Sequence, residues 1–280
     1  MARLTHRLRL ASVAATSLIL VAACSGSSGN ESHAYVSVDE LPDPIGDLDL
    51  DDLPEAPDGF TSSDVENLAE RVVELTERGL LDQDLQMLSP EDATTAVLAV
   101  VPPDSAERFG GQSADSGAYM SVSFPVATKE PTSIEFIRQE WHVETYDAES
   151  SGTPVLKVSL GTTWTAQFDD SPIPVIGARV ISMSSSDPAD IESGGPAPGV
   201  GAQAMVVQTD VCAFSQDHQY KPYSEKRWND YLAASEDFEQ DSALELMLTG
   251  DYFDTAAADD AVTGDGWTPE EIEALGCDPG

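Results

Sequence analysis

From Leu156 to Phe168 every second residue is apolar or uncharged and bulky: Leu156, Val158, Leu160, Thr162, Trp164, Ala166 and Phe168. The residues between them are Lys157, Ser159, Gly161, Thr163, Thr165 and Gln167. A period of two held this long fits a β-strand and excludes a helix, whose apolar positions recur every three or four residues. Apolar-in, polar-out alternation predicts an antiparallel sheet with one face on a core and the other wet. Similar alternation runs through Met120, Val122, Phe124 and Val126, and again through Trp141, Val143 and Thr145. Ile134 and Phe136 fall in the opposite phase to Trp141, which predicts a β-bulge near Ile137. Asp169-Asp170-Ser171-Pro172 reads as a turn, with a returning strand from Val175 to Met183. Ser184 to Gly201 reads as a loop, and Ala204 to Phe214 as a last strand carrying Cys212.

Helices flank this block. Val65, Leu68, Ala69, Val72 and Leu75 recur at helical spacing after a capping box at Ser63-Asp64-Val65-Glu66, with Gly79 as the stop. Ser89-Pro90 opens a second helix through Ala93, Ala96, Val97 and Val100, which ends at Pro102-Pro103. After the strands, Trp228, Tyr231 and Leu232 share a stripe. Ala243 to Leu248 suggests a short helix, and Thr268-Pro269-Glu270-Glu271 is a further capping box. The expected fold is therefore α+β: N-terminal helices packed on a long-stranded, curved antiparallel sheet, with a helical C-terminal tail. Residues 61–223 form the α+β domain and 224–280 a helical extension packed on it.

The chain opens with Arg3, Arg7 and Arg9 and no acid, followed by an apolar stretch from Ala11 to Ala23. That stretch has the length of a signal-peptide core and falls short of the roughly 20 residues that span a bilayer. It ends Val21-Ala22-Ala23-Cys24, ahead of Ser25-Gly26-Ser27-Ser28-Gly29. An aliphatic and two small residues before Cys resemble the lipobox of bacterial lipoproteins. The resemblance covers the signal alone. It implies cleavage of 1–23, diacylglycerol on the Cys24 sulfur and attachment to the outer face of a cell membrane, with Gly/Ser as tether. Residues 24–60 read as the lipidated cysteine and a flexible acidic linker, because Pro42, Pro44, Pro54 and Pro57 break helices among many acids. Asp47, Asp49 and Asp51 sit at the first three ligand positions of a calcium loop. Asp52 and Asp58 stand where Gly and Glu are needed, so a solvated acidic run fits better.

Charge narrows the partners. The chain has 51 acidic and 13 basic residues. Three of the bases leave with the signal, so the mature protein carries a formal charge of −41. Phosphate backbones would be repelled, which excludes nucleic acid as a partner. Such charge favours solubility and cationic partners, and is also what an organism with generally acidic proteins would produce. With Cys24 lipidated, Cys212 and Cys277 remain as an even pair in an oxidising compartment, and a disulfide between them is expected. Two free thiols are the alternative.

Two helices followed by long meandering strands resemble the NTF2-like or cystatin-like cone over roughly residues 62–222, in element order and without a motif. The resemblance implies a concave sheet able to hold an apolar small molecule, with Trp141, Trp164, Phe168, Tyr220, Tyr223 and Trp228 as candidate lining. It also opens an alternative, an enzyme with a carboxylate or tyrosine inside the cone. Asp210 is the one acid in a core-like stretch, and whether it points inward or to water stays open, with water the simpler reading. His142 and Glu144 face the same way but lack further ligands, so no metal site is expected. No nucleophile-elbow, zinc-protease or phosphate-loop motif occurs, and no cofactor is expected. The sequence reads best as a non-enzymatic envelope lipoprotein that binds an apolar small molecule or a partner protein.

Overall fold

The computed structural model describes residues 35–113, 123–126, 129–148, 152–188, 198–210, 212–214, 219–234, 253 and 277, with 108, 110–113, 204–207 and 231–234 by backbone alone. The signal, Cys24, the expected strand residues 119–122 and the tail motifs at 243–248 and 268–271 lie outside these residues. The described residues form an α+β fold. Helices α1 (Ser62–Leu81), α2 (Gln83–Gln86), α3 (Pro90–Val97) and α4 (Pro103–Ser113) come first. Strands β1 (Ser133–Asp147), β2 (Pro154–Phe168), β3 (Ser171–Ser185) and β4 (Gly199–Gln208) follow, then α5 (Glu225–Ala234). The strands pair antiparallel in chain order, a meander in which each hairpin returns beside its predecessor.

Helix α1 lies on β2 and β3. Its predicted apolar stripe is the buried one: Val65, Leu68, Ala69, Val72 and Leu75. The cap lies two residues earlier than predicted. Thr61 accepts from the Asp64 backbone N–H, and Asp64 accepts from that of Thr61. Gly79 does not end the helix but is buried within it, and the chain leaves at Asp82. Ser89 caps α3, accepting from the Asp92 N–H, with Pro90 at the first helical position as expected. The helix expected through Val100 ends at Val97, with a 3-10 turn over Leu98–Val100, and Pro103 begins another helix, α4, because a proline fits a first turn whose N–H groups have no partner in any case.

One sheet face, here the inner face, carries Trp141, Leu160 and Ile181 in one cross-strand row, and Val143, Val158 and Met183 in the next. The predicted bulge is present: β1 and β2 shift register between Phe136 and Arg138, which returns Ile134 and Phe136 to the inner phase. The other face is not wet as expected. Ser159, Thr163 and Thr165 on β2, and Ile176 and Ala178 on β3, are all buried. Phe253 of the C-terminal extension stacks on His142 of this face, with ring centroids 4.9 Å apart.

The acidic segment before α1 corrects the linker expectation over the residues described. From Ile45 onward it lies along the β1 edge. The Ile45 N–H donates to the Phe136 carbonyl, the Gln139 amide pairs with Asp49, and the Trp141 indole donates to the Asp49 carbonyl at 3.1 Å. Leu48 is buried, and Leu50, Leu53, Ala56 and Phe60 pack on the core while the aspartates face water. Further upstream, Val36 exchanges two hydrogen bonds with the Gln208 side chain.

The inner face is filled around Trp164. Its ring lies over Gly177, where an added Cβ would stand 2.6 Å from Cζ2. Gly177→Ala therefore forces the indole to move, an overpacking change that costs about 1–3 kcal/mol. A thermal melt followed in the near-UV should show a midpoint lowered by several degrees; an unchanged midpoint would mean that the indole is not seated there.

Candidate functional site: a cleft beside the disulfide

Trp164, Tyr220 and Phe124 form one sealed cluster, with Phe124–Trp164 centroids at 4.9 Å and Trp164–Tyr220 at 5.4 Å, both edge to face. Beside it Arg179, fully buried, donates from Nη2 to the Ser123 carbonyl at 3.1 Å. Burial lowers the Arg179 guanidinium pKa and raises that of the Tyr220 phenol, while their mutual hydrogen bond opposes both shifts. Arg179 is a further interior residue that the strand phase could have revealed, since it shares the phase of Val175, Gly177, Ile181 and Met183.

The six candidate lining residues are thus divided. Trp164, Phe168 and Tyr220 belong to the main core, and Trp141 closes its edge under the acidic segment. Tyr223 and Trp228 form a second, small cluster with Ile173 and Cys277, their rings 5.1 Å apart. The structure does not gather the six around a common hollow. Tyr223 also borders a surface cleft.

That cleft, about 520 Å³, is walled by Asp170, Ser171, Asp210, Cys212, Ala213, Lys221, Pro222, Tyr223, Ser224 and Arg227. Its position follows from the core. Tyr220 is pinned, its N–H donating to the Pro125 carbonyl, so the next residues emerge at a fixed place. The Asp210 N–H donates to the Lys221 carbonyl, and the Thr209 hydroxyl bonds both backbone groups of Lys221. Ser171 ties the opposite wall by donating to the Tyr223 carbonyl at 2.7 Å. Ser224 accepts from the Arg227 N–H and so caps α5.

Asp210 does not face water; it is 6% exposed. Nor does it stand free as a base. One carboxylate oxygen accepts from the Cys212 and Ala213 N–H groups, at 3.0 and 3.4 Å, while the other lies 3.9 Å from Arg227 Nε. Asp210 therefore caps a helical turn at 212–214, where a strand had been expected; β4 ends at Gln208. Cys212 sits in that turn and is bonded to Cys277, as the even cysteine count predicted. Arg227 reaches over the bond, its Nη2 against Cys212 Sγ and 3.8 Å from Cys277 Sγ.

His142 and Glu144 remain half exposed on the sheet. Lys157 donates to Glu144 at 2.9 Å and holds its carboxyl below the usual range, with His142 adding a smaller effect. Among the described residues no group of three His, Cys, Asp or Glu is arranged to hold a metal.

No family model, characterised relative or solved structure matches the chain.

The disulfide closes a 65-residue separation. Removing both sulfurs with Cys212→Ser and Cys277→Ser should cost about 4 kcal/mol by the chain-entropy account. Urea unfolding of the oxidised protein and the double variant measures this; coincident midpoints would show that the link contributes nothing.

Proposed function

We propose that the chain is an exported lipoprotein, tethered through Cys24 to the outer face of the cell membrane, that acts as a binding module and engages an envelope protein at the cleft beside the disulfide. The observation that carries this reading is the contrast between the two candidate places. The inner face of the sheet is occupied by Trp164, Phe124, Tyr220 and the apolar stripe of α1. The cleft is open and lined by charged and polar groups. That contrast favours a partner protein over an apolar small molecule held within the sheet.

Two further features support the reading. A cysteine pair bonded between residues 212 and 277 suits an oxidising compartment. The lipobox-like Val21-Ala22-Ala23-Cys24 supplies the anchor. The alternative of an enzyme built on Asp210 loses support, because both carboxylate oxygens already face donors from the turn and Arg227. A general base needs a lone pair turned towards substrate.

The test has two arms. Cys24→Ala should abolish lipid attachment, so that a labelled fatty acid enters the wild-type protein and not the variant. A photo-crosslinking residue at Lys221 in the tethered protein should yield a discrete adduct in intact cells, and one at Tyr146 should not. Equal fatty-acid incorporation into wild type and variant would remove the tether, and equal cross-linking from the two positions would remove the cleft.

A further inference from the structure

The disulfide beside the cleft is asymmetric. Cys212 is half-buried and lines the cleft, whereas Cys277 is 4% exposed and packs among Ile173, Tyr223 and Trp228. A nucleophile arriving from solvent therefore meets one sulfur before the other. The guanidinium of Arg227 touches both sulfurs, and Asp210 fixes it from behind through Nε. A cation beside a sulfur stabilises thiolate over thiol. A thiolate of lower pKa is also the better leaving group in disulfide exchange. Lys221 adds a second positive charge to the wall. Arg227 and Lys221 balance Asp170 and Asp210 in the same wall, so an incoming thiolate meets a locally neutral opening in a chain with 13 basic residues against 51 acidic ones.

We propose that the Cys212–Cys277 bond is a thiol-exchange site, opened through the cleft by an external thiolate. The thiolate sulfur bonds to Cys212 Sγ, the Cys212–Cys277 bond breaks, and its electron pair leaves on Cys277 Sγ. Arg227 stabilises that thiolate until it takes a proton from water. A second thiol, free or on the same dithiol reductant, then attacks the mixed disulfide and releases Cys212. The balance is a two-electron reduction of the protein with oxidation of two external thiols to a disulfide. Opening would free the covalent hold on the C-terminal extension, which carries Phe253 on the outer sheet face. This inference shares the cleft with the proposed partner but depends on the disulfide alone, so failure of the tether or cross-linking test leaves it standing.

The experiment uses the full mature chain with Cys24→Ala, so that 212 and 277 are its only cysteines, and 2-mercaptoethanol as the probe. Brief exposure, acid quench, alkylation and peptide mapping should place the mercaptoethanol adduct on Cys212 and the alkyl group on Cys277. Arg227→Ala should slow the native reaction about three- to tenfold, because the leaving thiolate loses its neighbouring cation. Arg227→Lys should retain most of the wild-type rate. In concentrated guanidinium chloride all three should react alike, which separates the placement of Arg227 from intrinsic reactivity. Mapping the unsubstituted site needs no variant, so a misfolded Arg227→Ala would leave that arm intact. An adduct on Cys277, a native protein that does not react, or an Arg227→Ala rate equal to or above wild type would overturn the proposal.

Discussion

The seat of Trp164 over Gly177 is the contact on which the rest of the described structure depends. The indole needs a neighbour without a side chain on β3, and the register of β2 with β3 supplies one. Once seated, the ring offers its edges and faces to Phe124 and Tyr220, which arrive from segments outside the sheet. These contacts draw 123–126 and 219–223 onto the inner face. The same step buries Arg179, whose Nη2 donates to the Ser123 carbonyl and whose guanidinium interacts with Tyr220. A buried guanidinium is costly unless held in this way, so the polar and aromatic contacts support each other.

Function on this account begins where the core ends. Tyr220 is the last residue of the core cluster, and the next four residues help line the cleft. Their backbone is tied to Thr209 and Asp210 at the end of β4 and to Ser171 at the start of β3. Asp210 then serves two elements together, capping the turn that carries Cys212 and steadying Arg227 above the disulfide. The cleft is thus held by hydrogen bonds to the adjoining ends of β3 and β4, although it lies at the surface.

Much of the sheet was legible because its periodicity is strict. The phases of Leu156–Phe168 and Trp141–Thr145 emerged as the inner face, and the phase break before Ile137 emerged as a bulge. The stripe of α1 was equally plain, although the Ser63-Asp64-Val65-Glu66 pattern placed its start at Ser63 where Thr61 caps the helix. The acidic segment was misread because composition outweighed pattern: Asp47-Leu48-Asp49-Leu50 alternates as an edge segment does, with the leucines turned inward. The burial of the second sheet face could not be inferred, since serine and threonine fit a wet face and a tightly covered one equally well. Asp210 and Cys212 were read as strand because Val206, Val207 and Val211 favour one locally. The capping that ends it requires Asp210 to meet the N–H groups two and three residues on, a backbone path that residue type alone does not specify. The six aromatic candidates read as the lining of one hollow, and residue type alone does not show that they pack into two separate clusters.

The central claim is that the inner face of the sheet is closed and that the protein presents its surface. Titration with a neutral apolar fluorophore, N-phenyl-1-naphthylamine, tests this most directly, since an uncharged probe escapes repulsion by the acidic exterior. The account predicts no saturable binding to the native protein and no energy transfer from its tryptophans. Stoichiometric binding with quenching of tryptophan emission, lost in a Trp164→Phe variant, would contradict it.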